Sequence, residues 1–454
     1  MSQSETGAVS GALARFVAAT RWEDIPPAVR HEAKRSLVNF FAVALAGCRD
    51  RTLDLATGVY KRFSAGEQAT VIGRRERCDI LTAAALNAAS ANVFDFDDTH
   101  IPTIAHPTAP VAPALLALAE TQPMSGRDFL LAFILGVEAE CRIANAVSPS
   151  HYARGWHITS TCGVFGSALA AGKIFGLEPR ALVWALGSAS SQAGGLVETL
   201  GTMAKSVGVG NAARNGLLSA LLAREGFDGP DAPLEGVRGF LNVTSERARP
   251  DEVDGALGQR WEILANTYKP YPCGVVLNPV IEACLELARR PELAGAAGRI
   301  EDIEITGHSL LRQRTDRPGV RTGREAQVSA QHAVAVSLVR GKAGLPEFTD
   351  QAVADPALRA LGAKVRFRDD DSFAVEAARV AVRLAGAEPI VVSIEAARGG
   401  PKRPLSDADL EAKLRELCRG GGSGVEPEAL IQAVWALDER DDVGSLMKLA
   451  AGVN

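Results

Sequence analysis

The chain has few aromatic residues, 5% of 454, and many alanines and glycines. A hydrophobic share of 47% together with 44 glycines points to closely approaching helices in a chain long enough for two cores. Basic charge is not in excess. The formal net charge is -5, which leaves nucleic-acid binding without electrostatic support and requires a local group of cations for any anionic substrate. There is no Cys-x-x-Cys pair, and the seven cysteines are scattered and odd in number. That argues against structural zinc or an iron-sulfur cluster and fits a reducing compartment. No run reaches the roughly 18 uncharged apolar residues needed to span a bilayer. The opening Met1-Ser2-Gln3-Ser4-Glu5-Thr6 lacks the basic stretch and apolar core of a signal peptide. The expected setting is the cytoplasm, with no membrane partner.

What the chain does have is a dense cluster of acids and bases. Asp95-Phe96-Asp97-Asp98-Thr99-His100, followed by His106-Pro107, places three carboxylates and two imidazoles between apolar helical segments at Ile80 to Ala91 and Val111 to Ala119. A loop anchored by helices at both ends is where catalytic groups tend to be mounted; the plainer alternative is aspartates acting as solvated helix caps. Three further segments carry chemistry. Gly155-Trp156-His157-Ile158-Thr159-Ser160 puts His157 at a helix amino end, where an anion is also favoured, although a histidine there is often only a structural hydrogen-bonder. Lys205, in Gly201-Thr202-Met203-Ala204-Lys205, stands isolated in an apolar region, which is unusual for a solvated lysine. Tyr268-Lys269-Pro270-Tyr271-Pro272-Cys273-Gly274 sets Lys269 among prolines and aromatics, and reads alternatively as a rigid hinge with a surface lysine.

Periodicity is helical from about residue 7 to 226, with helices expected at Pro27 towards Gly47, Asp128 to Ala146 and Pro179 to Leu196. Strand-like runs follow at Ile300 to Thr306, Arg379 to Leu384 and Ile390 to Glu395, interleaved with helices at Asn278 to Arg289 and Glu325 to Arg340. From Ser406 the chain is helical again, and this segment is expected to rejoin the first domain. Gly420-Gly421-Gly422-Ser423-Gly424 reads as a flexible surface connection.

These segments together resemble the MmgE/PrpD family, which includes 2-methylcitrate dehydratase, cis-aconitate decarboxylase and iminodisuccinate epimerase. The resemblance rests on Asp95 to Thr99 with His106-Pro107, Gly155 to Ser160, Gly201 to Lys205, Lys269 to Gly274 and Phe348-Thr349-Asp350, in the family's order over nearly the whole chain. It implies a mainly α protein: a large helical domain from residues 1–266 and 403–454 with an inserted smaller α+β lid domain, 267–402. It also implies a homodimer, no metal or organic cofactor, a small anionic carboxylate substrate, and a site lined by Asp95, Thr99, His106, His157, Lys205 and Lys269.

The chemistry of those residue types agrees. Removing a proton next to a carboxylate accumulates charge on a group that is already negative, so without a metal it needs fixed cations, a part for Lys205 and Lys269. Histidine is a base suited to neutral pH; His157 is the first choice and His106 the second. Asp95 would orient an imidazole or balance a lysine, and Thr99 would hydrogen-bond a substrate carboxylate, with Tyr271 as a further substrate contact. Gly208 and Asn278 occupy positions where relatives often have histidine, and Gln331-His332 falls where the dehydratase and decarboxylase types carry tyrosine, making His332 a substitute acid. The expected activity is therefore a cofactor-independent lyase, of 2-methylcitrate dehydratase-like elimination, with an epimerase or decarboxylase as the alternative. Readings from other classes are a metal-dependent hydrolase using Asp95, Asp97, Asp98, His100 and His106, and a non-catalytic helical scaffold.

Overall fold

Helix α1, Pro27–Gly47, starts on a proline whose missing donor costs nothing at the first helical position. It belongs to a computed structural model that describes residues 8–453, so the Met1 to Thr6 stretch lies outside the described residues. The chain forms two compact units. The first comprises residues 8–93, 97–266 and 406–453, and the second 94–96 and 267–405.

In the first unit α2, Ile80–Asn92, is capped by Asp79, whose carboxylate accepts from the Leu81 and Thr82 N–H groups at 3.0 and 2.9 Å. The loop after it contains a short strand β1, Asp98–His100. Helix α3, Thr108–Ala119, begins earlier than its apolar pattern indicates because Asp98 reaches across the loop to cap it. Thr108 Oγ1 and N–H donate to Asp98 Oδ2 at 2.5 and 3.3 Å. Then come α4, Gly126–Val147, α5, Ile158–Ile174, α6, Pro179–Ser190, and α7, Met203–Arg224. Helix α6 stops short of the expected Leu196, before the Gly194-Gly195 pair. Helix α5 is central and packs against α3, α4, α6 and α7. Its approach to α4 depends on a glycine on each side: a Cβ on Gly136 or on Gly166 would lie 2.8 Å from the other's carbonyl oxygen. At this contact a short interhelical distance takes the place of side-chain volume, while Phe129 and Phe133 of α4 and Phe165 of α5 are fully buried as well.

Helix α4 also carries a buried ionic tie. Arg142 Nε donates to Glu138 Oε1 at 2.5 Å, and its Nη atoms donate to the carbonyls of Gly255 and Arg260 at 2.7 and 2.9 Å. Glu138 Oε2 accepts the Glu262 N–H at 2.7 Å, and Glu262 Oε2 meets His100 Nε2 at 3.1 Å. Glu140, on the same helix, is fully buried, and neither of its oxygens has a hydrogen-bond partner among the described residues. Burial, with Asp98 nearby, pushes its carboxyl well up. A carboxyl that keeps its proton in the folded state, while the unfolded chain releases it above about pH 4.3, makes the fold lose stability as pH rises from there. Glu140→Gln removes that proton release. Its thermal midpoint should therefore climb relative to wild type between pH 5 and 7, by about 1.4 kcal/mol of stability per pH unit; a gap that stays constant with pH would show that Glu140 ionises freely.

The second unit is built on helix α8, Asn278–Leu287, and a four-stranded sheet. Strand β2, Ile300–Gly307, is followed by α9, Ala330–Arg340, and then by β3, Val365–Asp369, β4, Ala378–Leu384, and β5, Ile390–Ile394. The order is β3-β2-β4-β5, with β2 parallel to β3 and the other pairs antiparallel. Strand β3 escapes sequence reading because it is an edge strand whose alternate positions are arginines, a usual protection against edge pairing. The single helix expected from Glu325 to Arg340 is broken: Gly323–Ala326 forms one turn, and α9 restarts where Ser329 Oγ accepts the His332 N–H at 3.3 Å.

The tail returns to the first unit as α10, Asp407–Gly420, which packs on α1 and is opened by the reciprocal Ser406 and Asp409 bonds of a capping box. The glycine run after it is not a free surface connection. Gly421 is pressed onto the Leu45 carbonyl and Ser423 is fully buried. Two boundaries also differ from the sequence expectation, since residues 94–96 and 403–405 go with the second unit. For 94–96 the cause is hydrogen bonding, because Gln327 Nε2 donates to Phe94 O and Lys269 Nζ to Asp95 O. Among the described residues no helix is long and apolar enough to cross a membrane.

Candidate active site

In the first unit the site is built from the loop between α2 and α3 and from the amino ends of α5 and α7. Asp97, next in the loop, accepts from Asn92 Nδ2 at 2.6 Å. Strand β1 turns back at Ile104, whose φ of 63° is a strained conformation for a β-branched residue, and this turn delivers His106. His106 Nδ1 donates to the Asp98 carbonyl at 2.6 Å, with Thr99 Oγ1 at 3.4 Å and Asp97 Oδ1 at 3.7 Å. Its backbone N–H donates to Thr159 Oγ1 at 3.0 Å. Thr159 lies in the first turn of α5, whose N-cap is His157, so the two histidines of the sequence reading converge on one helix terminus.

His157 is buried; its N–H donates to Gly195 O at 3.0 Å and its Nδ1 lies 2.7 Å from Ser160 Oγ. Gly195 holds φ +134°, open to glycine alone. Lys205, 8% exposed, sits in the first turn of α7. Gly208 follows it by three residues, hence on the same helix face, and faces the Ser160 hydroxyl. Helix α7 thus sets Gly208, one turn after Lys205, against Ser160 in the first turn of α5.

The aspartates divide their labour. Asp98 is a cap, as the plainer alternative held, but a buried one: its carboxylate also accepts from Asn266 Nδ2 at 2.6 Å, and burial lifts it to about 6 despite these bonds. His100 is committed to structure, held by Glu262 and by Thr103 Oγ1 at 2.8 Å. Glu262 falls to about 2 because His100 and Arg260 outweigh its burial. Asp98 and His100 are turned to other protein groups, so of the five residues of the metal-dependent reading Asp95, Asp97 and His106 bring ligand atoms within 4.8 Å of one another.

The second unit holds Asp95 and Lys269. Lys269 Nζ donates to Asp95 O at 2.8 Å and lies 3.3 Å from Asp95 Oδ2, with its side chain 2% exposed, so it is no surface lysine on a hinge. Asp95 itself takes φ 51°, a second strained residue in the same loop. Tyr271 packs on the core of this unit, and burial raises its phenol to about 12. Cys273 is fully buried and its thiol is pushed up by burial, which makes it a poor nucleophile. Asn278 accepts from the Cys273 thiol at 3.8 Å. His332 Nε2 donates to Glu347 O at 2.8 Å on the wall of a cavity of about 430 Å³, and burial lowers its affinity for a proton.

Sequence reasoning missed Ser160, Thr159 and the Asp98 carbonyl. Small hydroxyls and backbone groups carry no pattern of their own, and only the spacing of Ser160 three residues after His157 at a helix start offered a signal.

Comparison with known proteins follows this geometry. The MmgE/PrpD N-terminal domain matches residues 11–253 and the MmgE/PrpD C-terminal domain residues 271–439. The cis-aconitate decarboxylase-like protein oryM of Aspergillus oryzae is 29% identical, over 98% of each chain. Cis-aconitate decarboxylase of Mus musculus is 28% identical over 98% of this chain and 93% of its own, and that of Aspergillus terreus 29% identical over 99% and 96%.

Proposed function

From the premise that this chain belongs to the MmgE/PrpD family, we propose that it is a cofactor-independent lyase acting on a small di- or tricarboxylate, by proton transfer at a carbon next to a carboxylate. The observation that carries this reading is His106, seated by Asp98 and tied through Thr159 to the α5 terminus whose N-cap position His157 occupies. A positioned imidazole takes the proton, and the C–H electron pair passes into the adjacent carboxylate as an enediolate. Lys205 and Lys269 supply cationic charge of the kind that stabilises it. In elimination the pair then forms the double bond as the β-hydroxyl departs, and the imidazolium returns its proton to that oxygen, releasing water. Decarboxylation is the second reading, favoured by the names of the relatives: the C–C bond to a carboxylate breaks, carbon dioxide leaves, and the same carbon is protonated.

Hydroxy di- and tricarboxylates, with cis-aconitate among them, can be followed by proton NMR in deuterated water. Elimination, decarboxylation and epimerisation each leave a different product, and no change in any of them would refute the reading. Prolonged chelator treatment is expected to leave turnover intact. Activity lost to chelation and restored by one divalent ion would instead support metal-dependent hydrolysis.

A further inference from the structure

The ring nitrogens of the two site histidines meet partners of different kinds. His106 Nδ1 faces the Asp98 carbonyl oxygen at 2.6 Å. A carbonyl only accepts, so Nδ1 carries the hydrogen, and in the neutral ring the lone pair is on Nε2. His157 Nδ1 faces the Ser160 hydroxyl at 2.7 Å, and a hydroxyl can donate. Ser160 is 2% exposed, and among the described residues Nδ1 is the one acceptor its hydroxyl reaches. A buried O–H without an acceptor is costly, so Ser160 donates, Nδ1 accepts, and the hydrogen of the neutral ring is on Nε2.

We propose that Ser160 is a positioning residue that fixes His157 as an Nε2–H hydrogen-bond donor and so leaves the base role to His106. The chemistry rests on the lyase reading above, and it reverses the order in which the sequence ranked the two histidines. The surroundings support it. A Cβ on Gly195 would lie 2.6 Å from Ser160 Cβ, and one on Gly208 would lie 3.0 Å from Ser160 Oγ, so the hydroxyl is enclosed by two glycines that leave it room and little more. His157 also occupies the N-cap position of the 17-residue helix α5, and a helix amino end favours an uncharged ring with an anion beside it. An Nε2–H donor there strengthens its hydrogen bond as charge builds on a substrate carboxylate. The proton leaves carbon for His106 Nε2, the C–H pair enters the enediolate, and His157 keeps its own hydrogen.

The test reads tautomers directly. Long-range proton–nitrogen correlation spectra of the full chain labelled with nitrogen-15 histidine resolve seven histidines, with His157→Gln and His106→Gln supplying the assignments. The expected result is hydrogen on Nε2 of His157 and on Nδ1 of His106. Ser160→Ala should leave His106 unchanged, populate both tautomers of His157, and lower kcat roughly ten- to a hundredfold, the scale for a group that orients a functional histidine, with KM little altered. Should that variant fold poorly, Gly208→Ala serves: alanine favours the helix, and its methyl group should crowd Ser160 and shift the His157 nitrogens. Hydrogen on Nδ1 of wild-type His157, or His157 signals indifferent to both variants, overturns the proposal. Because the spectra need no turnover, an inactive substrate panel with the expected tautomers would refute the lyase reading alone.

Discussion

His106→Gln is expected to lower turnover by roughly a hundredfold or more, the range for losing a general base, and to stop deuterium from washing into the substrate at the carbon that loses its proton. His157→Gln should also slow turnover, yet exchange should persist. The two variants separate because abstraction of a proton and stabilisation of the resulting charge are different tasks. Glutamine keeps a hydrogen-bonding group of similar reach in either place but cannot accept a proton near neutral pH. At position 157 it can still donate; at position 106 nothing replaces the Nε2 lone pair that the Asp98 carbonyl secures by taking the hydrogen on Nδ1. Thermal midpoints of both variants should stay within a few degrees of wild type, which distinguishes lost chemistry from lost fold. Exchange that survives in His106→Gln and disappears in His157→Gln would return the base to His157. Normal exchange in both would end the imidazole mechanism altogether.

Lys269→Met should lower turnover by about a hundredfold or more, the scale for removing one preorganised charge from a water-poor site. The side chain is 2% exposed and bonded to both the backbone and the carboxylate of Asp95, so this variant also leaves polar groups behind. A loss of roughly 1–3 kcal/mol of stability is expected from the unpaired acceptors, and the assay belongs well below the lowered midpoint. Asp95→Asn separates the two effects: it keeps the backbone bond from Lys269 and removes the opposing charge, so a fall in turnover much smaller than in Lys269→Met assigns the lysine to the reaction. Near-normal kinetics in Lys269→Met would make the pair a structural fastener of the loop.

Much of this architecture follows from local pattern. Helices α1, α2, α4 and α5 and strands β2, β4 and β5 declare themselves by apolar periodicity, by Pro27 at a first turn and by caps such as Ser406. The mainly α class follows from their proportions, and family membership from the order of five short segments. The same patterns drew attention to the loop at residues 95–106 and to Lys205 and Lys269, because buried charge is rare enough in an apolar background to mark itself.

Tertiary structure decided what those groups do. Three aspartates within four positions read alike in sequence, yet Asp95 pairs with Lys269, Asp97 is held by Asn92, and Asp98 caps a helix and seats His106 through its carbonyl. His100 and His106 differ in the same way, one fixed to Glu262 and the other placed at the start of α5. Periodicity is set by neighbours along the chain, and it therefore reveals helices, strands and the rarity of a buried charge. The tautomer of an imidazole or the role of a carboxylate is set by the one or two atoms it touches, and those atoms come from residues such as Thr159, Ser160 and Asn266 that only folding brings within 3 Å or so.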